Sequence, residues 1–256
     1  MRQRYEPLPT SAARQAGAGH PDRAGAPRMR QNEPVRLYLV RHGQTVFNAL
    51  GRTQGWSDSP LTDVGRATAA RVGANLVGLG EAPSFDAAYA ADMVRHGETA
   101  ALLLGAMADG VPLERTAGLR ETGFGGYEGM KVKALWRRMD EHLRDRGDAR
   151  KVFELSLRER IDLFRDSNPS PEHEAEGYAA ASTRLLGVAA GIGSAHADAE
   201  RVLAVSSGMA ILVLLDALGI AEPPRFLENG SVTILERDGD RWTAVEVGST
   251  RFADGA

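Results

Sequence analysis

Apolar positions along this chain change their spacing repeatedly, and the changes mark out alternating strands and helices. Val35 to Val40 is apolar at nearly every position, and Arg36 to Val40 reads as a strand buried on both faces. Thr62 to Leu79 takes a helical period, with Thr62 placed to cap it ahead of Asp63. Asp86 to Ala90 is a short strand, and Asp92 to Gly105 is helical by its apolar spacing. Lys131 to Arg146 and Lys151 to Asp166 predict two charged amphipathic helices, and Tyr178 to Val188 a third. Arg201 to Val205 is a buried strand, followed by a mostly apolar helix over Gly208 to Leu218. Ser231 to Arg237 and Trp242 to Glu246 predict a hairpin around Asp238-Gly239. Strand and helix in alternation define the α/β class: a three-layer α/β/α sandwich with a mostly parallel sheet.

The first 34 residues break this pattern. They hold six arginines against three acids, about +3, which leaves about −6 for the rest. Rich in Ala, Gly and Pro and without periodicity, they predict a disordered tail, with Met29 as an alternative start and a basic arm for a partner as the other reading. Residues 35–256 form the folded domain. The formal charge of −3 gives no electrostatic case for nucleic acid. The absence of cysteine excludes disulfides and thiolate metal sites. The longest apolar stretch, Met209 to Leu215, is far below a membrane span, and no signal-peptide core opens the chain. A cytoplasmic protein with no membrane partner is the expectation; a homodimer stays open.

The chemistry begins where the first strand stops, at Arg41-His42-Gly43. A strand ending there delivers a guanidinium and an imidazole to the carboxyl edge of the sheet, where open α/β sheets bind ligands. A guanidinium forks onto two oxygens of a phosphate, and a neutral ring nitrogen can attack phosphorus.

Five segments follow in order. They are Arg41-His42-Gly43-Gln44-Thr45 with Asn48; Gly55 to Gly65, with Ser59-Pro60-Leu61-Thr62; Arg95 with Thr99-Ala100; Leu119-Arg120-Glu121 with Phe124-Gly125 and Glu128-Gly129; and Val205-Ser206-Ser207-Gly208. The series resembles the histidine phosphatase superfamily, also called phosphoglycerate-mutase-like, over roughly Val35 to Val247. The resemblance implies the phosphoglycerate-mutase-like fold, with no metal and no cofactor. It implies that His42 is the nucleophile that becomes phosphorylated. Arg41, Asn48 and Arg95 would grip the phosphoryl oxygens, and Glu121 would act as general acid and then base. Each also admits a plainer reading: a salt bridge for Arg41 or Arg95, a turn for Asn48, and Glu128 as a rival to Glu121.

In one place the chain departs from the pattern. The resemblance implies Ser-His-Gly after the fourth strand, and here Ser207 stands in the histidine's place. Its hydroxyl and the amides opening the helix at Gly208 can still favour an anion, but serine brings no positive charge. A second Arg-His-Gly occurs at Arg95-His96-Gly97, and its His96, turned about 100° from Arg95 on a helix, reads as coincidence. His173 reads as an exposed loop residue, and Gly191-Ile192-Gly193-Ser194 as a loop after a helix. The resemblance implies a helical cap over residues 130–176, which Trp136, Arg137, Arg138, Arg158 and Arg165 could line, with solvated helix faces as the reading for most of them. The leading expectation is a phosphomonoester hydrolase, branch phosphatase, acting on a small phosphorylated metabolite. The alternatives are a catalytically weakened phosphate-binding or regulatory protein, motivated by Ser207, and a phosphoglycerate mutase-type phosphomutase.

Overall fold

A computed structural model describes residues 34–196, 200–220 and 224–254. The expected tail therefore lies outside the described residues, apart from its last position. Six strands build one mixed sheet: β1 (Val35–Arg41), β2 (Ala87–Ala91), β3 (Leu113–Thr116), β4 (Arg201–Ser206), β5 (Val232–Asp238) and β6 (Arg241–Ser249). Their order is β3-β2-β4-β1-β5-β6. The pairs β3/β2, β2/β4 and β4/β1 are parallel, while β1/β5 and β5/β6 are antiparallel, so the sheet is mostly parallel with a hairpin closing one edge.

The alternation of the pleat divides each central strand between two cores. Leu37 and Leu39 of β1, Tyr89 and Ala91 of β2, and Val202 and Ala204 of β4 face one cluster. Tyr38 and Val40, Ala88 and Ala90, and Leu203 and Val205 face the other. The first cluster is covered by α6 (Tyr178–Ala195) and α7 (Gly208–Ala217), and by Ile161 of α5 (Leu157–Asp166). The second is covered by α2 (Asp63–Gly78), α3 (Val94–Ala106) and the short α8 (Arg251–Asp254). This is the expected three-layer sandwich. A continuous apolar run such as Val35 to Val40 is required wherever both faces of a strand are covered.

Several elements differ from expectation. β3 was not expected, because as an edge strand it needs no continuous apolar run; its residues are half-buried or exposed. The helix expected over Lys151 to Asp166 is broken. Ser156 caps α5 by accepting from the Glu159 amide, while Glu159 returns to the Ser156 amide, and residues 152–154 form a separate 3-10 turn. The Gly191-to-Ser194 stretch is helical and belongs to α6. There Gly193 makes room for Arg237: a Cβ would lie 2.7 Å from its Nε.

Residues 130–176 carry α4 (Val132–Asp145) and α5 around an apolar cluster of their own. Leu135, Met139, Leu143, Val152, Leu163 and Phe164 pack there on Phe124 and Tyr127.

The segment after β1 is pinned by close backbone approach. The short α1 (Val46–Ala49) is capped by Thr45, and the Gln44 carbonyl accepts from the Thr62 amide. A Cβ on Gly65, in the first turn of α2, would lie 2.1 Å from the Gln44 carbonyl oxygen, and one on Gly43 2.5 Å from the Gly65 oxygen. Backbone cannot yield as a side-chain end does. Gly65→Ala is therefore expected to destabilise by about 1–3 kcal/mol in urea denaturation, whereas Gly78→Ala, with open space around it, should leave the midpoint unchanged or higher.

Candidate active site

His42 follows the last residue of β1, and its amide donates to the Ser206 carbonyl of β4, 3.0 Å away. Its Nδ1 lies 2.8 Å from the Gly43 carbonyl oxygen. A carbonyl only accepts, so Nδ1 carries the proton and Nε2 keeps its lone pair. Asn229 Nδ2 donates to the His42 carbonyl at 3.0 Å and fixes the turn. Burial, followed by the charges of Arg95 and Arg41, pushes the His42 ring well below the ordinary imidazole range. At neutral pH the ring is held in its uncharged form.

Arg41 and Arg95 are both buried, the second completely. Arg41 Nη1 donates to the Leu227 carbonyl, its Cζ lies 4.9 Å above the Phe226 ring, and a Cβ on Gly208 would come within 3.3 Å of its Nε. Glycine at 208 thus lets the guanidinium lie against the start of α7. Arg95, in the first turn of α3, donates to the carbonyls of Ser57 (3.0 Å) and Gly55 (2.8 Å) and to Asp58 Oδ1 (3.0 Å). In both arginines the buried Nε meets no acceptor among the described residues. Burial works against both charges. Glu121 and Glu228 support that of Arg41, and Asp58 with Glu121 supports that of Arg95.

Glu121 and its rival Glu128 separate clearly. Glu128 accepts from the amides of Gly55, Trp56, Ser57 and Phe124 and from the Ser57 hydroxyl. It is the organiser of the loop that grips Arg95. Glu121 instead accepts from the Thr122, Met209 and Ala210 amides at 2.7–3.0 Å, two of them in the first turn of α7. Burial lifts its carboxyl above the ordinary range against the pull of those amides and of Arg95. The Glu121 carbonyl is held by Trp56 Nε1 at 2.9 Å, and Arg184, paired with buried Glu176, braces the Gly118 and Arg120 carbonyls before it.

Asn48 is half-buried. Its Oδ1 accepts from the Thr45 amide and from Asn229 Nδ2, both at 3.2 Å, which leaves its amide hydrogens as the outward donors. Ser207 precedes α7, but its hydroxyl does not cap that helix. It lies 2.7 Å from His96 Nε2. His96, read from the sequence as coincidence, therefore meets the strand end that carries Ser207. It is fully buried, and its ring stands edge-to-face on His42 with centroids 5.2 Å apart. A rotation counted within α3 alone misses this, because the partner lies at the end of the neighbouring strand β4. Thr99, which accepts from the Gly43 amide and donates to the Arg95 carbonyl, joins the two segments, as its place in the motif hinted. Asn229 and Arg184 had no such signal. His173 is exposed, as expected. Of the cap arginines, Arg137 and Arg165 meet acids on their own helix, and Arg158 lies 4.5 Å over the Tyr178 ring.

The fold and this constellation together define an α/β domain with buried cations and an imidazole at one sheet edge, and comparison with known proteins names its family. The family model of the histidine phosphatase superfamily, branch 1, matches residues 37–250, and the chain belongs to that family. The crystal structure of a phosphoglycerate mutase from Bacillus anthracis superposes with a TM-score of 0.78 at 31% identity, covering 86% of this chain and 96% of that one. A Bacillus stearothermophilus protein, YhfR, gives 0.69 at 28% identity over 86% of this chain and all of its own. In sequence, a 2,3-bisphosphoglycerate-dependent phosphoglycerate mutase of Xanthobacter autotrophicus is 38% identical over 104 residues, 39% of this chain and 49% of its own. A broad-specificity phosphatase of Saccharomyces cerevisiae is 34% identical over 112 residues, 43% and 48% of the two chains. The chain spans about half the length of these curated relatives. Among the described residues no helix is long and apolar enough to cross a membrane.

The two buried imidazoles make stability acid-sensitive. His96, like His42, is held well below the ordinary range, by burial first and then by Arg95. Unfolded, each ring takes up a proton near about pH 6.5. The unfolded chain thus binds protons first, and the rings' contribution is whole above that pH and is lost as pH falls below it. The loss is about 1.4 kcal/mol per pH unit per ring until the folded-state value is reached. Urea denaturation at pH 7 and pH 5 should show a smaller loss for His96→Gln than for wild type; equal losses would show that His96 protonates freely in the fold.

Proposed function

We propose that this protein is a phosphomonoester hydrolase that works through a phosphohistidine on His42, without need of a metal in any step. The observation that carries the reading is His42 Nδ1 held on the Gly43 carbonyl, which leaves the Nε2 lone pair available, at the sheet edge that also carries the buried guanidinium groups of Arg41 and Arg95. Nε2 attacks phosphorus and forms an N–P bond while the P–O ester bond breaks. The leaving oxygen takes the proton of the Glu121 carboxyl. A water then attacks the phosphoryl group and passes its proton to Glu121, the N–P bond breaks, and inorganic phosphate departs. Arg41 and Arg95 spread countercharge over the phosphoryl oxygens, with Asn48 and the start of α7 at Ser207 and Gly208 beside them. The substrate is a small phosphorylated metabolite, and residues 130–176 form the cap that selects it. Relatives named as phosphatases and as mutases support phosphoryl transfer as the shared chemistry.

A mutase is the second reading, favoured by the names of several relatives. The two differ in whether water or a second substrate hydroxyl receives the phosphoryl group. Release of inorganic phosphate from an aryl phosphate without a bisphosphorylated primer supports the hydrolase; interconversion of the two phosphoglycerates, primed by bisphosphoglycerate, supports the mutase.

Two outcomes are expected from variants. His42→Ala should lose at least about a thousandfold in kcat on an aryl phosphate, and an unchanged rate would contradict the nucleophile. Glu121→Gln should slow an alkyl phosphate far more than a nitrophenyl phosphate, whose leaving oxygen needs little protonation. In wild type kcat/KM rises as His42 loses its proton and falls as Glu121 loses its own, above the ordinary carboxylate value. The falling limb should vanish in Glu121→Gln, and its persistence would assign the acid elsewhere.

A further inference from the structure

We propose that His96, acting through Ser207, completes the phosphoryl pocket: its imidazole holds the Ser207 hydroxyl so that the hydroxyl proton is donated to a phosphoryl oxygen. The inference deepens the hydrolase reading above and rests on it. His96 opens α3 after β2, and Ser207 precedes α7 after β4, with β2 and β4 paired in parallel. The two side chains meet at 2.7 Å, both out of solvent, with the His96 ring against that of His42.

Three observations favour function over filling. Serine ahead of a helix ordinarily caps it, worth about 1 kcal/mol, yet the Ser207 hydroxyl makes no cap and turns to His96. His96 Nδ1 is buried with no partner among the described residues, so the imidazole is a poor packing choice where an apolar side chain would leave no polar atom stranded. And Ser207 has the pocket's other groups around it. Gly208 carries the Arg41 guanidinium against it, and the Met209 and Ala210 amides hold Glu121.

The hydroxyl has one proton. If it is given to Nε2, nothing remains for an anion. If instead Nε2 carries the hydrogen and donates to Oγ, the Ser207 proton is directed onward, and a bound phosphoryl oxygen is the acceptor that fixes this tautomer. His96 is in this sense a positioning residue, and Ser207 touches the substrate. The resemblance implies an imidazole at position 207; here one is supplied from the neighbouring helix.

The test compares wild type with His96→Ala, His96→Gln, Ser207→Ala, the double alanine variant and His96→Ala/Ser207→His. Readouts are kcat and KM on an aryl phosphate and the affinity for orthovanadate by calorimetry. Either single alanine change should lower kcat about tenfold to a hundredfold with little change in KM, and weaken orthovanadate in parallel. The double variant should be no worse than the worse single, since one relay is broken either way. His96→Gln keeps an N–H for Ser207, and Ser207→His returns the imidazole to the strand end; both should recover most of the loss. A folded His96→Ala with wild-type kcat and wild-type orthovanadate affinity, or an additive double variant, would overturn the inference. If His96→Ala does not fold, His96→Gln and Ser207→Ala decide: tolerance of the first with loss in the second supports the relay, and full activity in Ser207→Ala overturns it. Should His42→Ala retain wild-type turnover, the hydrolase reading falls on its own, and orthovanadate affinity still decides the role of His96.

Discussion

Two guanidinium groups buried beside one uncharged imidazole set the terms for everything else in this protein. Removing such cations from water is expensive unless fixed partners receive them. Arg95 is received by the Gly55 and Ser57 carbonyls and by Asp58, in a loop that Glu128 holds by its amides. Arg41 is received by the Leu227 carbonyl and the face of Phe226. Neither set uses the Nε hydrogens, and both charges bear on the His42 ring. The arrangement concentrates positive charge and keeps the imidazole uncharged by the same electrostatics.

The sheet makes this assembly possible. Parallel β1, β2 and β4 end at one edge, so Arg41 and His42, Arg95 and His96, and Ser207 and Gly208 converge although far apart in the chain. Glu121 arrives from the loop after β3 and takes two amides at the start of α7, which ties its position to the same edge. Rigid strand ends, close backbone contact at Gly43 and Gly65, and the Thr99 hydroxyl linking Gly43 to Arg95 leave the groups little room to move.

Much of this was legible in the sequence, for identifiable reasons. Continuous apolar runs report strands covered on both faces, so β1, β4 and the layer order could be read; β3, a four-residue edge strand with no buried position, could not. His42, Arg41, Arg95 and Glu121 could be singled out as candidates because each belongs to a local motif. Asn229 and Arg184 were missed because each acts through a long-range contact with another segment's backbone, and Glu176 acts through the Arg184 guanidinium. His96 is the instructive case. Its local signal, a repeated Arg-His-Gly on a helix, pointed to coincidence, while its significance lies in Ser207, 111 residues further along. The departure at position 207 and the surplus histidine at 96 were both visible, and only the pairing of β2 with β4 joins them.

The central claim is that phosphorus is carried by His42 nitrogen. Rapid quench of the protein with a substrate labelled at phosphorus, followed by peptide mapping under alkaline conditions, tests it most directly. The label should be stable to base, lost in acid and confined to the peptide containing His42. A label on a hydroxyl or carboxylate side chain, or turnover with no labelled protein at any quench time, would contradict it.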